Sequence, residues 1–182
     1  MMKVQRRSIV TAARKLADLL KLPLIDRSNV TPDETRRIWA EYHSSKPECL
    51  GKSIEPWRLE KIIKNSENNP MFMFPVHRTS GFFSLVSQFQ KNVCMLTTLE
   101  QFQHRRPDTV PMMTVTFYDE LCATKAVGLV RADIVSVLTV KEAETILDRL
   151  MYFYSSAEFN LVRDFNHRPR EFDLNKYIRD SR

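Results

Sequence analysis

The chain has 182 residues, which is enough for one domain with a buried core and too few for two domains of ordinary size. Apolar residues make up 43% and charged residues 27%, as in ordinary globular proteins, and no stretch reaches the roughly 20 consecutive apolar residues of a membrane-spanning helix. The three glycines are too few and too scattered for the glycine-rich loops that bind nucleotide phosphates, which excludes nucleotide binding through such a motif.

The first 15 residues carry most of the net charge of +6, since they contain five cations and no acid. The remainder has 23 basic and 22 acidic residues and is therefore nearly neutral. The alternative function is a nucleic-acid-binding module that uses the basic terminus and aromatic strands. The near neutrality of the remainder disfavours this alternative. Apolar residues recur near this terminus at helical spacing, at Ile9, Ala13, Leu16 and Leu20. Two interpretations stay open for residues 1–15, a mitochondrial targeting segment or the first helix of the fold. Residues 16–182 are expected to form a single domain.

Two further helices are predicted before the first strand. Thr31 has the properties of a helix cap and Pro32 those of a first helical residue, so the first of these helices runs from there to about Ser45. Its predicted buried stripe consists of Ile38, Trp39 and Tyr42. Residues 47–51 are expected to break the chain, and the next helix is predicted from Pro56 to about Ser66.

The hydrophobic pattern changes at Met71, because residues 71–74 are apolar on both faces, as in a central strand. Turn signals at 79–81 and 91–92 separate this strand from two more, which predicts an antiparallel meander. The later segments are predicted as a short helix at 99–104, a strand at 112–118, a helical turn at 119–125 and a strand at 127–134.

The strongest helix signal covers residues 139–154. Thr139 and Glu142 have the spacing of a capping box, and the predicted apolar face contains Val140, Ala143, Ile146, Leu147, Leu150 and Tyr154. A last short helix is predicted from about Leu174. Strands in the middle with helices before and after them predict an α+β fold, with a central antiparallel sheet of about five or more strands flanked by helices.

The residues show no pattern that is typical of an active site. Cys49, Cys94 and Cys122 are odd in number and widely spaced, which fits a reducing compartment and no zinc site. Cys94 and His104 have the residue types of a nucleophile pair, but ordinary core or surface thiols are the favoured interpretation. We therefore expect a protein-binding module that is not an enzyme and has no metal or cofactor.

The stretch from Pro70 to Gln90 carries a family resemblance. Its residues Pro70-Met71-Phe72-Met73-Phe74-Pro75-Val76-His77-Arg78, Gly81-Phe82-Phe83 and Gln88-Phe89 resemble the mitochondrial F1-ATPase assembly factors that bind the free β subunit. Further pieces in matching order extend the resemblance over roughly residues 16–178, among them Ile38-Trp39, Tyr42-His43, Leu129-Val130-Arg131-Ala132-Asp133 and Phe165-Asn166. The chain departs from the family where Ala126 replaces the usual glycine and Gly128 the usual aliphatic residue.

The resemblance implies a monomeric chaperone of the mitochondrial matrix that does not insert into a membrane or bind nucleic acid. It would bind the unassembled β subunit and prevent its aggregation until the α subunit joins. The residues that the resemblance suggests for partner binding are Phe82, Phe83, Gln88, Phe89, Phe165 and Asn166. The alternative for each phenylalanine is a place in the core.

Overall fold

A central antiparallel sheet organises the residues that the computed structural model describes, which are 13–25, 27, 29–104, 110–135 and 137–181. Its strands are β1 (Cys49–Ile54), β2 (Met71–Arg78), β3 (Gly81–Gln90), β4 (Val93–Thr98), β5 (Met113–Tyr118) and β6 (Gly128–Ile134). The order across the sheet is β1-β6-β5-β4-β3-β2, and every neighbouring pair is antiparallel. The predicted α+β fold with an antiparallel sheet is therefore confirmed.

Helices flank this sheet before, between and after the strands. In the described residues they are α1 (Leu16–Leu19), α2 (Leu22–Ile25), α3 (Pro32–Ser44), α4 (Pro56–Asn68), α5 (Leu99–His104), α6 (Cys122–Lys125), α7 (Val140–Ser155), α8 (Phe159–His167) and α9 (Leu174–Asp180). The capping predictions are confirmed, since the Glu34 amide donates to the Thr31 hydroxyl and Thr139 forms a capping box with Glu142. The predicted first helix is a single turn in its described part, and residues 1–12 lie outside the described residues.

The prediction that residues 71–74 form a central strand is wrong, because β2 lies at one edge of the sheet. Its residues from Phe72 to Val76 are nevertheless buried. Asn166 of α8 and Tyr177 of α9 cover the outer side of this strand through hydrogen bonds to the backbone of Met71 and Met73. An edge strand that is covered in this way has the same apolar pattern as a central one.

Three elements were missed by the sequence predictions, namely the single helical turn α2, the strand β1 and the helix α8. The segment expected to break the chain instead pairs along β6, from Cys49 opposite Asp133 to Ile54 opposite Gly128. Gly51 lies in this strand because a Cβ atom there would collide with the His43 ring of α3. The helix α8 has only nine residues, and packing against β2 and α7 stabilises it more than its own sequence does.

Two apolar clusters fill the two faces of the sheet. The larger one packs α7 against the strands, through Ile146, Leu147, Leu150 and Tyr154. The smaller one lies under β5 and β6, where Trp39 of α3 packs among leucines of α1 and its indole N–H donates to the Val130 carbonyl at 3.2 Å. Val140 was predicted on the buried face of α7, and this was wrong: the residue starts the helix and its side chain is exposed.

Ala126, which stands where the family usually has glycine, adopts a left-handed conformation with φ +51° and ψ +38° after α6. This conformation strains the folded state of an L-residue by about 1–2 kcal/mol. Glycine is not strained there, but the greater entropy of its unfolded chain lowers the free energy of unfolding by about 0.4–1 kcal/mol. We therefore expect Ala126→Gly to raise the free energy of unfolding by about 0.5–1 kcal/mol in urea titrations. Ala126→Val is the control and should lower it; a lower stability of the glycine variant would contradict the prediction.

Candidate partner-binding surface

The hairpin of β2 and β3 places Phe82 and Phe83 at one end of the sheet. Phe82 is 52% exposed and its ring lies beside the His77 ring, with the centroids 5.7 Å apart. Phe83 is half-buried on the other face of β3, since side chains alternate along a strand. The Arg78 guanidinium lies over its ring, 4.9 Å from the centroid.

Gln88 and Phe89 lie near the other end of β3, about 20 Å from Phe82 at the usual rise per residue. Phe89 is buried, with its ring centroid 4.8 Å from that of Tyr154. Gln88 is half-buried opposite Met71 of β2. Phe89 is therefore part of the core, and Gln88 lies on the opposite face of the strand.

Phe165 and Asn166 of α8 lie close to the same end as Gln88. Phe165 packs edge-on against Phe72 with 5.7 Å between the ring centroids. The Met71 amide donates to Asn166 Oδ1 at 3.1 Å, and Asn166 Nδ2 donates to the Met71 carbonyl. Asn166 thus completes the hydrogen bonding of the β2 edge in the manner of a further strand residue.

Tyr177 of α9 continues this cover along the edge, because its hydroxyl donates to the Met73 carbonyl at 2.8 Å. Pro75 lies two residues after Met73, so its backbone groups point to the same outer side of β2. Because proline has no N–H, it leaves no unpaired hydrogen-bond donor at this edge of the sheet. The structure therefore separates the six predicted partner-binding residues into two groups. Phe82 and Phe83 lie at the hairpin end, and the other four lie near the opposite end.

Three exposed valines lie at the same end of the sheet, and no sequence pattern marks them as contact residues. Val110, Val137 and Val140 are 62%, 52% and 44% exposed, beside the 52% of Phe82. They share this end of the sheet because β3, β5 and α7 begin there and β6 ends there. Val140 lines a cleft with Pro47, Leu50 and Gly51 beside β1, whereas Phe83 and Val137 both contact Arg78. We refer to Phe82, Phe83 and Val137 as the hairpin-end surface.

Arg78 connects the two parts of the hairpin-end surface. Its Nε and Nη2 atoms donate to the Glu142 carboxylate at 2.7 and 3.0 Å, and Nη2 also donates to the Val137 carbonyl at 2.9 Å. The hydrogen bond from Arg78, aided by those from Thr139, lowers the pKa of Glu142 to about 2. The hairpin is thereby fixed to the start of α7 by a pair of charges that neutralise each other.

A backbone hydrogen bond connects the segment of Val110 to the segment of Val137. The Val135 amide donates to the Met112 carbonyl at 2.9 Å, which holds the segment before β5 against the segment after β6. Val110 and Val137 each lie two residues from this bond. The bond therefore places the segments of Val110 and Val137 at the same end of the sheet.

A buried polar cluster lies on the other side of the sheet, between α3 and β6. His43 Nδ1 lies 2.8 Å from the Trp39 carbonyl, and Arg131 Nη1 lies 3.0 Å from His43 Nε2. Since arginine only donates, Nε2 accepts and the imidazole is neutral with its hydrogen on Nδ1. Arg131 is 3% exposed and also donates to the Asp133 carboxylate, at 3.0 and 3.1 Å from Nε.

Burial lowers the pKa of His43, and the positive charges of Arg131 and Lys46 lower it further. The pKa of His43 is therefore lower in the folded state than its value of about 6.5 in the unfolded state. The contribution of the neutral imidazole to stability is complete above the unfolded-state pKa and is lost as the pH falls through the folded-state pKa. We expect the free energy of unfolding to decrease below about pH 6.5, by at most about 1.4 kcal/mol per pH unit for this one proton.

The measurement is a series of urea titrations from pH 5 to 8 on the wild type and on His43→Gln. Glutamine retains an oxygen that accepts a hydrogen bond from Arg131 and does not titrate. The slope between pH 5 and 6.5 should be smaller in the variant. Equal slopes in the two proteins would show that His43 is not responsible.

The residues considered for catalysis lie in different surroundings. Cys94 is fully buried in the core, which raises the pKa of its thiol, whereas His104 is exposed on α5 with Nδ1 2.8 Å from the Glu100 carbonyl. Asp119 and Glu120, adjacent carboxylates between β5 and α6, are both exposed and therefore do not form a buried acid–base pair. Among the described residues, no group of three or more histidine, cysteine or acidic side chains is placed to hold a metal ion. None of the helices described is both long and apolar enough to cross a membrane.

Comparison with known proteins identifies the relatives of this chain. Residues 2–178 match the family described as ATP11 protein. A protein from Danio rerio named ATP synthase mitochondrial F1 complex assembly factor 1 is 25% identical over 166 residues, which are 89% of this chain and 54% of the relative. The chain thus spans about half the length of that relative. Because the family match covers nearly the whole chain, the protein belongs to the ATP11 family.

Proposed function

We propose that this protein is a chaperone for the assembly of the F1 part of ATP synthase, acting in the mitochondrial matrix. In this role it binds the unassembled β subunit as a monomer and prevents its aggregation until the β subunit joins the α subunit. The family match over residues 2–178 carries the proposal, and the name of the Danio rerio relative supports it. The resemblance of residues 70–90 to the β-binding assembly factors supports the choice of subunit.

The physical requirement for such a protein is a surface that covers an apolar interface for a limited time. A subunit that is destined for a ring exposes large apolar patches before assembly, and such patches lead to aggregation at cellular concentrations. A reversible cover needs a few apolar anchors surrounded by polar groups, and it needs no bond-breaking step. The exposed apolar side chains of the hairpin-end surface supply anchors of this kind.

The test uses the full-length chain and purified β subunit. The β subunit is diluted from denaturant with or without the chain, and light scattering records its aggregation. We expect suppression that is complete near one chain per β subunit, together with recovery of the β subunit when the tagged chain is used to capture proteins from a mitochondrial extract. Albumin at equal mass is the control for non-specific protection.

Two outcomes would contradict the proposal. One is aggregation at the rate seen with albumin, combined with capture of no ATP synthase subunit. The other is a salt-sensitive shift of RNA or DNA by the chain without any effect on the β subunit, which would favour the nucleic-acid-binding alternative.

A further inference from the structure

We propose that a groove between the edge of β2 and the helix α7 binds an extended, acidic peptide segment of another protein. The groove has a volume of about 330 Å³ and is lined by residues 74–77 of β2, by one face of α7 from its cap at Thr139 to Arg149, and by Ser181 after α9. We refer to it as the edge groove. None of the residues of the hairpin-end surface lines it, and the proposal does not depend on which protein the chain assists during assembly.

The main chain of β2 is open where it borders the edge groove. Side chains of α8 and α9 cover the edge of the strand as far as Met73. His77 lies two residues after Pro75, so its N–H and carbonyl groups also point outward. No hydrogen bond between the described residues reaches either group from outside the sheet. Because unpaired backbone groups at a sheet edge pair with another extended chain, the edge groove fits a peptide in an extended conformation.

The edge groove carries two positive charges that no acid neutralises within the described residues. Lys141 and Arg149 line it, and neither belongs to an ion pair there. Arg149 donates to the Ser181 carbonyl at 3.2 Å, which carries no net charge. Glu142 also lines the groove, but Arg78 and the cap of α7 bind both of its carboxylate oxygens. The two cations are therefore available to carboxylates of a partner.

The spacing of these cations matches that of side chains on an extended peptide. Lys141 and Arg149 are eight residues apart on α7, so about 12 Å separates them along the helix axis. Residues i and i+4 of an extended chain lie on one side of it and are about 13 Å apart. Between the cations the floor of the edge groove is apolar, because Phe74, Val76 and Ile146 are buried there. A segment with acids at i and i+4 and an apolar residue at i+2 therefore fits both the charges and the floor.

The test measures how the full-length chain binds a synthetic peptide of this pattern, Thr-Glu-Thr-Val-Thr-Glu-Thr. Both ends of the peptide are blocked and it carries a neutral fluorophore, so that only the two glutamates are charged, and fluorescence anisotropy gives the dissociation constant. The control peptide has glutamine in place of each glutamate. We expect the acidic peptide to bind about tenfold more tightly than the control peptide, because each of two charge contacts near the protein surface contributes up to about 1 kcal/mol.

Three variants of the full-length chain, each at an exposed side chain, locate the binding. Lys141→Glu reverses one charge of the edge groove and should weaken binding of the acidic peptide by about tenfold. Lys61→Glu is the matched control, since it makes the same change on α4, and it should bind within about twofold of the wild type. Thr145→Phe retains both cations and fills the groove between them, so it should also weaken binding by about tenfold or more. Thermal unfolding checks that each variant folds.

Four other outcomes would overturn the proposal. Equal affinities for the two peptides would refute the role of the cations. Equal losses for Lys141→Glu and Lys61→Glu, or no loss for Thr145→Phe, would show a general attraction to positive charge instead of binding in the edge groove. A wild type that forms dimers which Thr145→Phe does not form would identify a second copy of the chain as the occupant. Absence of peptide binding would refute this proposal and leave the proposed function intact, because the latter is tested by the aggregation of the β subunit.

Discussion

Phe72→Ala should lower the free energy of unfolding by about 3–5 kcal/mol, the usual effect of truncating a large core aromatic side chain. Phe72 is fully buried, and its ring centroid lies 5.0–6.3 Å from those of five other aromatic rings. These rings belong to β2, α7, α8, α9 and the segment before α9. The truncation therefore leaves a cavity at the point where the covered edge of the sheet and three helices meet.

Thermal unfolding should show the same effect as a decrease of about 6–20 °C in the melting temperature. Phe82→Ala is the matched control, because it is the same substitution within the same hairpin at an exposed side chain. Its free energy of unfolding should remain within about 0.5 kcal/mol of the wild type. Similar stabilities for the two variants would mean that the aromatic cluster around Phe72 does not hold the helices to β2.

Asp133→Ala should lower the free energy of unfolding by about 3 kcal/mol, because it leaves the Arg131 guanidinium buried without its counter-charge. The value is at the lower end of the usual range, since the Asp133 side chain is 34% exposed while that of Arg131 is 3% exposed. The loss also affects α3, because Arg131 donates to His43 at its other end.

Two comparisons make this second prediction specific. Arg131→Met combined with Asp133→Ala removes both charges and should be more stable than Asp133→Ala alone. Asp148→Ala removes an exposed partner of Lys52, which lies 2.6 Å from Asp148, and should cost only about 0–1 kcal/mol. Equal losses for Asp133→Ala and Asp148→Ala in urea titrations would show that the burial of Arg131 does not decide the effect.

The hairpin of β2 and β3 combines two tasks in one stretch of sequence. Phe72 and Phe74 face the helices and are fully buried, whereas Phe82 at the start of β3 is largely exposed. The part of this stretch near α8 builds the fold, and the part near Arg78 presents apolar side chains to the surroundings. The family resemblance of the whole stretch therefore does not by itself separate structural residues from contact residues.

Much of the fold could be predicted from the sequence, because local patterns specify local structure. The caps at Thr31 and Thr139 and the two-residue turn at Lys91 and Asn92 depend on hydrogen bonds and dihedral angles within a few residues. The alternation of the strands was also visible, and their short connections predicted the meander. The family followed from residues in matching order along the chain.

The positions of elements within the sheet depended on contacts between distant residues. The apolar run in β2 predicted burial correctly but placed the strand at the centre, because side chains of α8 and α9 that lie about 100 residues away cover its edge. Strand β1 has few apolar residues, and its pairing with β6 together with the fit of Gly51 against His43 gives it its structure. Neither effect is encoded in the local pattern.

The sequence by itself determined the α+β class, the family and the caps and turns, since these depend on neighbouring residues and on their order. Only the tertiary structure decided which of the predicted contact residues are exposed. Phe82 is exposed, whereas Phe89 packs in the core and the Asn166 side chain pairs with the edge of β2. The hairpin-end surface also exists only in the fold, because Arg78 brings residues of β3 together with the segment before α7. Exposure is set by what packs on a residue from elsewhere in the chain, and the residue type alone does not specify that.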